Sequence, residues 1–248
     1  MSAAELTDAR TEVLARIRTA LADGHEGGPG YDRQAPAASG SGQRGVARPR
    51  TRAVAPSRTY RSRGEHEPGS PELLEMLVDR LVDYRAVVHE VDGPDDLTTA
   101  LGRVLADVGS AVVPPWLDAG WIAAATAAGV RLTTDVPTVP LDATALDSIE
   151  AVLTAARVAI AETGTIVLDG APDQGRRIIT LMPDRHICVV RADQVVQTVP
   201  EAIRVLERAP TRPQTWISGP SATSDIELTR VEGVHGPRTL EVVLVRSS

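Results

Sequence analysis

The sequence of 248 residues contains no lysine, no asparagine and no phenylalanine, and it has a single cysteine. Without lysine, the chain cannot form a Schiff base with a carbonyl substrate. It also cannot carry the phosphate-binding loop that ends in Lys-Ser/Thr. Aromatic residues make up only 2% of the chain. We therefore expect a core built from valine, leucine, isoleucine and alanine.

The scarcity of cysteine limits redox and metal chemistry. Cys188 lies within the apolar run HICVV at 186–190, which predicts a buried structural thiol rather than a reactive one. One cysteine forms no internal disulfide and cannot hold an iron–sulfur cluster alone. The histidines show no metal-ligand spacing, and no Gly-x-Ser-x-Gly nucleophile elbow is present. We predict no cofactor and no tightly bound metal in this chain.

Long hydrophobic runs are absent as well. No uninterrupted apolar stretch reaches membrane length, and the first residues lack a cationic start followed by an apolar core. Hydrophobic residues nevertheless make up 42% of the chain, enough to fill the core of one α/β domain with appendages. These features predict a soluble, cytoplasmic protein without a membrane partner.

The chain divides into three parts by composition. Residues 5–22 place apolar side chains at three- and four-residue spacing, which predicts an N-terminal helix within 1–23. Residues 24–69 are rich in Gly, Pro, Ser and Arg, with eight arginines and no acid between 33 and 64, although the whole chain carries a formal charge of −7. Such a segment predicts a disordered linker. Its few aromatics favour a solvated tether over a nucleic-acid-binding segment.

Residues 70–248 predict an α/β domain. Ser70-Pro71 suits a helix start. Beyond it, strand and helix patterns alternate, which favours a mostly parallel sheet flanked by helices. Helices are predicted at 94–107, 117–128, 146–156 and 195–208. Strands are predicted at 86–88, 111–113, 130–133, 157–162, 165–168, 178–181, 187–190, 215–217 and 239–245. Short strands separated by turn residues between 157 and 190 predict an antiparallel hairpin region.

The segment ISGPSATSDIE at 217–227 is the first candidate site. It follows a predicted strand, and ligands of open α/β sheets bind beyond the carboxyl ends of strands. Gly219 permits close backbone approach, and Ser224-Asp-Ile-Glu227 matches a capping box whose free N–H groups could bind an anion. The candidate ligand contacts are Gly219, Ser221, Thr223, Ser224 and Glu227. Asp225 and Glu227 favour a hydroxylated or cationic group instead, and simple helix capping is the structural alternative.

Two further clusters carry candidate residues. In AETGT at 161–165, Glu162 could act as a general base, with Thr163, Gly164 and Thr165 beside it. The alternative is a bend with Gly164 at an unusual dihedral angle and bonded threonines. In GVHGPR at 233–238, His235 could move a proton and Arg238 could pair with a carboxylate. Each cluster alone is as compatible with a structural role.

Taken together, four segments resemble the lactate-utilisation protein C family, the LUD-domain proteins. These segments are AETGTIVL (161–168), LMPDRHICVV (181–190), ISGPSATSDIE (217–227) and GVHGPRTLEVVLV (233–245). The resemblance spans about residues 70–246, and the four segments occur in the same order as in the family. The Arg-rich insert departs from the family pattern.

The resemblance implies an α/β fold similar to the sugar-phosphate isomerase and CoA-transferase group, and a role in oxidising L-lactate to pyruvate. It also implies that iron–sulfur clusters reside in two partner subunits. Two hypotheses follow. In the first, the chain is a non-redox accessory subunit whose pocket holds lactate or a partner. In the second, it is a small-molecule isomerase or acyl-transfer-type enzyme that uses Glu162 or Asp225 as acid or base, with His235 assisting.

Overall fold

A computed structural model describes residues 60–223, 231–232 and 236–247, together with Ala15. Ala15 is helical, whereas the rest of the predicted N-terminal helix lies outside the described residues. All elements below belong to one compact unit, Ser57–Ser248. No helix in the described part of the chain is long and apolar enough to cross a membrane.

Strands and helices alternate along the described chain. The strands are β1 (Val87–Val91), β2 (Ser110–Val113), β3 (Arg131–Thr134), β4 (Ala151–Ala155), β5 (Val158–Ile160), β6 (Thr165–Leu168), β7 (Arg185–Arg191), β8 (Val195–Val196), β9 (Thr215–Ile217), β10 (Ala222–Thr223), β11 (Val231–Glu232) and β12 (Thr239–Val245). The α-helices are α1 (Pro71–Asp83), α2 (Pro94–Val104), α3 (Ala119–Ala127), α4 (Ala143–Asp147) and α5 (Val199–Leu206). Short 3-10 helices cover Ala161–Thr163, Arg177–Thr180 and Ala192–Gln194.

Six strands form a wholly parallel sheet in the order β1-β12-β7-β4-β2-β3. Its central strands are mostly apolar, as expected for strands covered on both faces; every residue of β4 is buried. A second sheet, in the order β8-β5-β6-β9, pairs β6 antiparallel with both neighbours. The structure therefore confirms the predicted α/β class with a mostly parallel sheet and an antiparallel region.

Alternate residues of the parallel strands face two different layers. Ile187, Val189 and Val243 pack with α2 and α3 on one face. Cys188 and Val242 pack on the other face with α1 and with the inner side of the four-stranded sheet. Helix α5 covers the outer side of that sheet. The parallel sheet is thus the central layer of the domain.

Two predicted elements are wrong. The helix predicted over 146–156 ends in α4, and residues 151–155 form β4, because a short Ala- and Leu-rich run is ambiguous between helix and buried strand. The strand predicted over 178–181 is the 3-10 helix Arg177–Thr180. Residues 60–69, at the end of the predicted linker, contact the domain: Glu65 N–H donates to Gln197 Oε1 at 2.6 Å, and Gly69 N–H donates to the Val195 carbonyl at 2.9 Å.

Candidate functional site

A pocket of about 270 Å³ opens where β7 and β12 begin. His186 and Leu240, the second residues of these paired strands, form part of its wall. Loop residues after β9 and the 3-10 helix Arg177–Thr180 provide most of the polar lining. We call this site the loop pocket and define it by Arg177, Thr180, His186, Ser218, Gly219 and Ser221, with Gly236 and Pro237 alongside.

The position of this pocket differs from the prediction. The segment at 217–227 does follow a strand, but that strand is β9 of the four-stranded sheet. The pocket itself lies at the amino ends of the parallel strands, not at their carboxyl ends. The sequence pattern identifies a strand but does not reveal which sheet it joins, and this is the reason for the error.

Gly219 is required by the backbone of the pocket loop. Its φ of +86° lies in the left-handed region, and a Cβ there would stand 2.8 Å from the Tyr84 carbonyl oxygen. Glycine alone adopts this conformation without strain and fits this close approach. Ser221, two residues after Gly219, donates its N–H to the Pro237 carbonyl at 2.8 Å. The loop is thereby joined to the segment before β12.

Hydroxyl groups connect the second predicted cluster to this pocket. Thr163 Oγ1 and Thr165 Oγ1 lie 2.7 Å apart, and Thr165 Oγ1 lies 2.8 Å from Ser218 Oγ. Gly164 has a φ of +56°. The cluster at 161–165 therefore has the features of a structural bend, namely hydrogen-bonded threonines and a glycine with an unusual dihedral angle. Its contact with the pocket is made through Ser218.

Glu162 does not line the loop pocket. Its Oε1 accepts a hydrogen bond from Gln197 Nε2 at 3.1 Å and contacts the guanidinium of Arg61. A carboxylate engaged in this way, outside the cavity, is poorly placed to remove a proton from a ligand in the cavity. The general-base role predicted for Glu162 has no support from this geometry.

The third cluster lies partly at the pocket. Gly236 and Pro237 line it, whereas Arg238 extends to Asp184, with 3.5 Å between Nη1 and Oδ2. That ion pair is exposed on both sides. Ser224, Asp225, Glu227 and His235 lie outside the described residues, as does the side chain of Thr223, whose backbone pairs with Val231 in a two-stranded ribbon.

His186 lines the pocket, although its place just before the predicted strand 187–190 indicated no site. It is 1% exposed, and its Nε2 lies 2.8 Å from Thr154 Oγ1. Burial lowers the pKa of His186 to about 4. The imidazole is therefore neutral at pH 7, and it can exchange hydrogen bonds without carrying charge. The sequence feature that could have identified this pocket residue is a histidine at the start of a largely apolar strand.

Cys188 lies two residues further along the same face and is fully buried. Burial raises the pKa of its thiol to about 12, so the sulfur remains protonated. Its structural role, predicted from the apolar run, agrees with this environment. Among the residues placed by the structure, no group of three His, Cys, Asp or Glu side chains could hold a metal ion.

Comparisons with known proteins place the chain in a family. A LUD domain model matches residues 141–245, a range that contains the whole loop pocket. Lactate utilization protein C of Deinococcus radiodurans is 47% identical over 176 residues, which cover 70% of this chain and 80% of that protein. Lactate utilization protein C of Bacillus subtilis is 32% identical over 99 residues, 38% of this chain and 41% of its own length.

A solved structure gives the same result at the level of the fold. The crystal structure of a DUF162 family protein from Deinococcus radiodurans superposes with a TM-score of 0.58 at 40% identity, and it covers 70% of this chain and 96% of that chain. The family model and the extended identity to the Deinococcus relative agree with the four segments described above. The chain therefore belongs to the LUD-domain family.

Proposed function

We propose that this chain serves lactate utilisation as a non-redox accessory subunit of an iron–sulfur system that oxidises L-lactate to pyruvate. The single observation that carries the proposal is the 47% identity to a lactate utilization protein C across 80% of its length. The Bacillus relative with the same name supports it over a shorter range. Participation in lactate utilisation is the broad claim, and the accessory role is the specific one.

The cysteine content supports a non-redox role. Oxidation of lactate to pyruvate releases two electrons and two protons, and these electrons need an acceptor. The one cysteine of the chain is fully buried in an apolar environment and cannot supply the thiolates that ligate a cluster. The proposal therefore assigns the iron–sulfur clusters, and electron transfer through them, to partner subunits.

The loop pocket is the proposed ligand site within this role. A cavity of about 270 Å³ suits a ligand as small as lactate. The guanidinium of Arg177 would bind the lactate carboxylate. The neutral imidazole of His186 and the hydroxyls of Thr180 and Ser218 offer hydrogen bonds to its hydroxyl group. In this proposal these groups bind and orient the ligand rather than react with it.

Gene deletion and complementation test the proposal. We expect the deletion strain to lose growth on L-lactate and to recover it with the wild-type gene. Arg177→Gln should fail to restore growth because the carboxylate loses its cationic partner. Arg131→Gln, at an exposed arginine of β3 away from the pocket, is the matched control and should restore growth. Normal growth of a deletion strain that has no second copy would contradict the proposal.

Purification under gentle conditions tests the partners. We expect the full chain to co-purify with proteins that contain iron–sulfur clusters, and the mixture to oxidise L-lactate. Calorimetry with the isolated chain and L-lactate tests the pocket separately, with Arg177→Gln as the comparison. Lactate oxidation by this chain alone, with no cluster-bearing protein present, would overturn the accessory role.

A further inference from the structure

A second cavity lies at the opposite edge of the parallel sheet. It has a volume of about 480 Å³ and is bordered by Ala155, Arg191 and Val245, the last residues of β4, β7 and β12. It shares no lining residue with the loop pocket. Along β7 the two sites are separated by five residues, roughly 16 Å. Ligands of parallel α/β sheets bind at this carboxyl edge.

Two helices begin at this cavity. Pro94 and Leu97 belong to the first turn of α2, and Trp121 belongs to the first turn of α3. Asp118 caps α3, because its Oδ1 accepts hydrogen bonds from the N–H groups of Gly120 and Trp121 at 2.8 and 3.2 Å. Strand ends and helix starts thus enclose one crevice, which we call the carboxyl-edge cavity.

An exposed indole lines the cavity. Trp116 is 75% exposed, an unusual environment for the largest apolar side chain. The backbone N–H of Trp116 donates to the Pro172 carbonyl at 3.3 Å, and the backbone carbonyl of the next residue, Asp173, accepts from the Ala155 N–H at 3.2 Å. These backbone bonds hold Trp116 beside Asp173. Trp121 offers a second, partly buried ring to the same cavity.

The charge of the cavity is negative. Two carboxylates, Asp118 and Asp173, line it together with one guanidinium, that of Arg191. The Nε atom of Arg191 lies 3.3 Å from Asp193 Oδ1, so this cation is already partnered. The first turn of α2 also carries two acids, Asp95 and Asp96, but neither lines this cavity. The lining side chains alone therefore carry one net negative charge, which favours a cationic ligand.

Asp173 differs from two buried carboxylates of the domain, Asp135 and Glu241. Asp135 and Glu241 each accept hydrogen bonds from an arginine side chain. Among the residues that the structure places, no ion pair involves the partly buried Asp173. Burial raises the pKa of Asp173 above its usual value, and the charges of Arg191 and Arg157 do not offset this. A ligand cation would supply the missing partner.

We propose that the carboxyl-edge cavity binds a small organic cation. The ligand has a flat or apolar body that contacts Trp116 and Trp121, and an ammonium, amidinium or guanidinium group that pairs with Asp173. Aromatic faces attract cations, and a partly desolvated carboxylate forms strong charge-assisted hydrogen bonds. Both features occur together in this cavity. The inference does not depend on the role proposed for the loop pocket.

Benzamidine is a suitable probe because it combines a flat ring with an amidinium group. The chain has three tryptophans, and Trp216 lies at the loop pocket. Titration of the full-length Trp216→Tyr protein therefore reports on Trp116 and Trp121 alone. We expect a saturable change in fluorescence. The neutral isostere benzamide should bind at least about tenfold more weakly, because it lacks the charge that pairs with a carboxylate.

Two variants locate the site. In the Trp216→Tyr background, Asp173→Asn should weaken benzamidine binding at least about tenfold. Asp147→Asn removes an exposed carboxylate outside the cavity and should leave binding unchanged. Trp116→Ala changes an exposed side chain, so it keeps the test informative if Asp173→Asn fails to fold; calorimetry should show weakened binding in this variant.

Three outcomes would overturn the proposal. The first is the absence of a saturable signal up to the solubility limit of benzamidine. The second is equal affinity for benzamide. The third is unchanged affinity in the folded variants at Asp173 and Trp116. Because none of these measurements involves lactate, their failure would leave the lactate-utilisation proposal intact, and normal growth of the deletion strain would leave this one intact.

Discussion

Gly219 and His186 shape the loop pocket, one through its backbone and the other through a buried side chain. Gly219 followed from local chemistry, because a glycine within a polar turn indicates a special backbone conformation. His186 did not, because its significance depends on Ser218, which is distant in sequence and joins it only in the folded chain. Glu162 shows the converse. Its position at a strand end indicated an acid or base, yet its carboxylate contacts Arg61, from a segment predicted to be disordered.

The buried imidazole of His186 predicts acid sensitivity. Its pKa is about 4 in the folded chain, against 6.5 for an ordinary histidine. Between these values the unfolded chain binds more protons, so the free energy of unfolding decreases as the pH falls through this window. The full loss is about 3 kcal/mol. Urea unfolding at several pH values should show a shallower pH dependence for His186→Gln, which retains a hydrogen-bonding group near Thr154. Equal slopes for both proteins would contradict this account.

Elements were predicted best where periodicity and length agreed. The helix start predicted at Ser70-Pro71 and the apolar strands β2, β6, β7 and β12 appear close to their predicted positions. Errors arose where a run was short. Residues 151–155 contain good helix formers, but they lie between β2 and β7 in the sheet and pair with both. Tertiary burial outweighs intrinsic propensity in such a segment.

The connections at the carboxyl edge depend on one buried ion pair. Asp135, 1% exposed, accepts from Arg176 Nε at 2.7 Å and Nη2 at 2.6 Å, and also from Leu141 N–H at 3.0 Å. Burial alone would raise the pKa of Asp135, but the bonds from Arg176 and Leu141 hold it below its usual value. The pair joins the loop after β3 to the 3-10 helix that lines the loop pocket.

We expect Arg176→Met to lower the free energy of unfolding by about 3–5 kcal/mol, because it leaves a buried carboxylate without its cation. The double variant Asp135→Asn, Arg176→Met should recover part of this loss. Arg63→Met, which breaks an exposed pair with Glu67, is the control and should cost less than about 1 kcal/mol. Urea unfolding measures all three. Equal decreases in the free energy of unfolding for Arg176→Met and Arg63→Met would show that the buried pair stabilises the fold no more than an exposed pair does.

At the scale of the whole molecule, the sequence predicted the α/β class but not the arrangement of two sheets. Strand patterns do not specify partners. Thus β9 and β12, separated by a short ribbon in the chain, belong to different sheets. The loop pocket lies where these two sheets meet, and the carboxyl-edge cavity lies at the far end of the parallel strands. Neither location could be read from spacing, because each is formed by segments that are distant in sequence.

The loop between β9 and β12 gives the last prediction. Ser221 and Gly236 line the loop pocket, and the ribbon of β10 and β11 connects them. Asp225 lies within that connection, and His235 directly precedes Gly236. We therefore expect Asp225→Ala and His235→Ala to impair growth on L-lactate with little change in unfolding free energy. Glu162→Gln should support normal growth, since Glu162 lies outside the pocket. If both alanine variants complement the deletion as well as the wild-type gene, this loop has no part in binding or orienting the ligand.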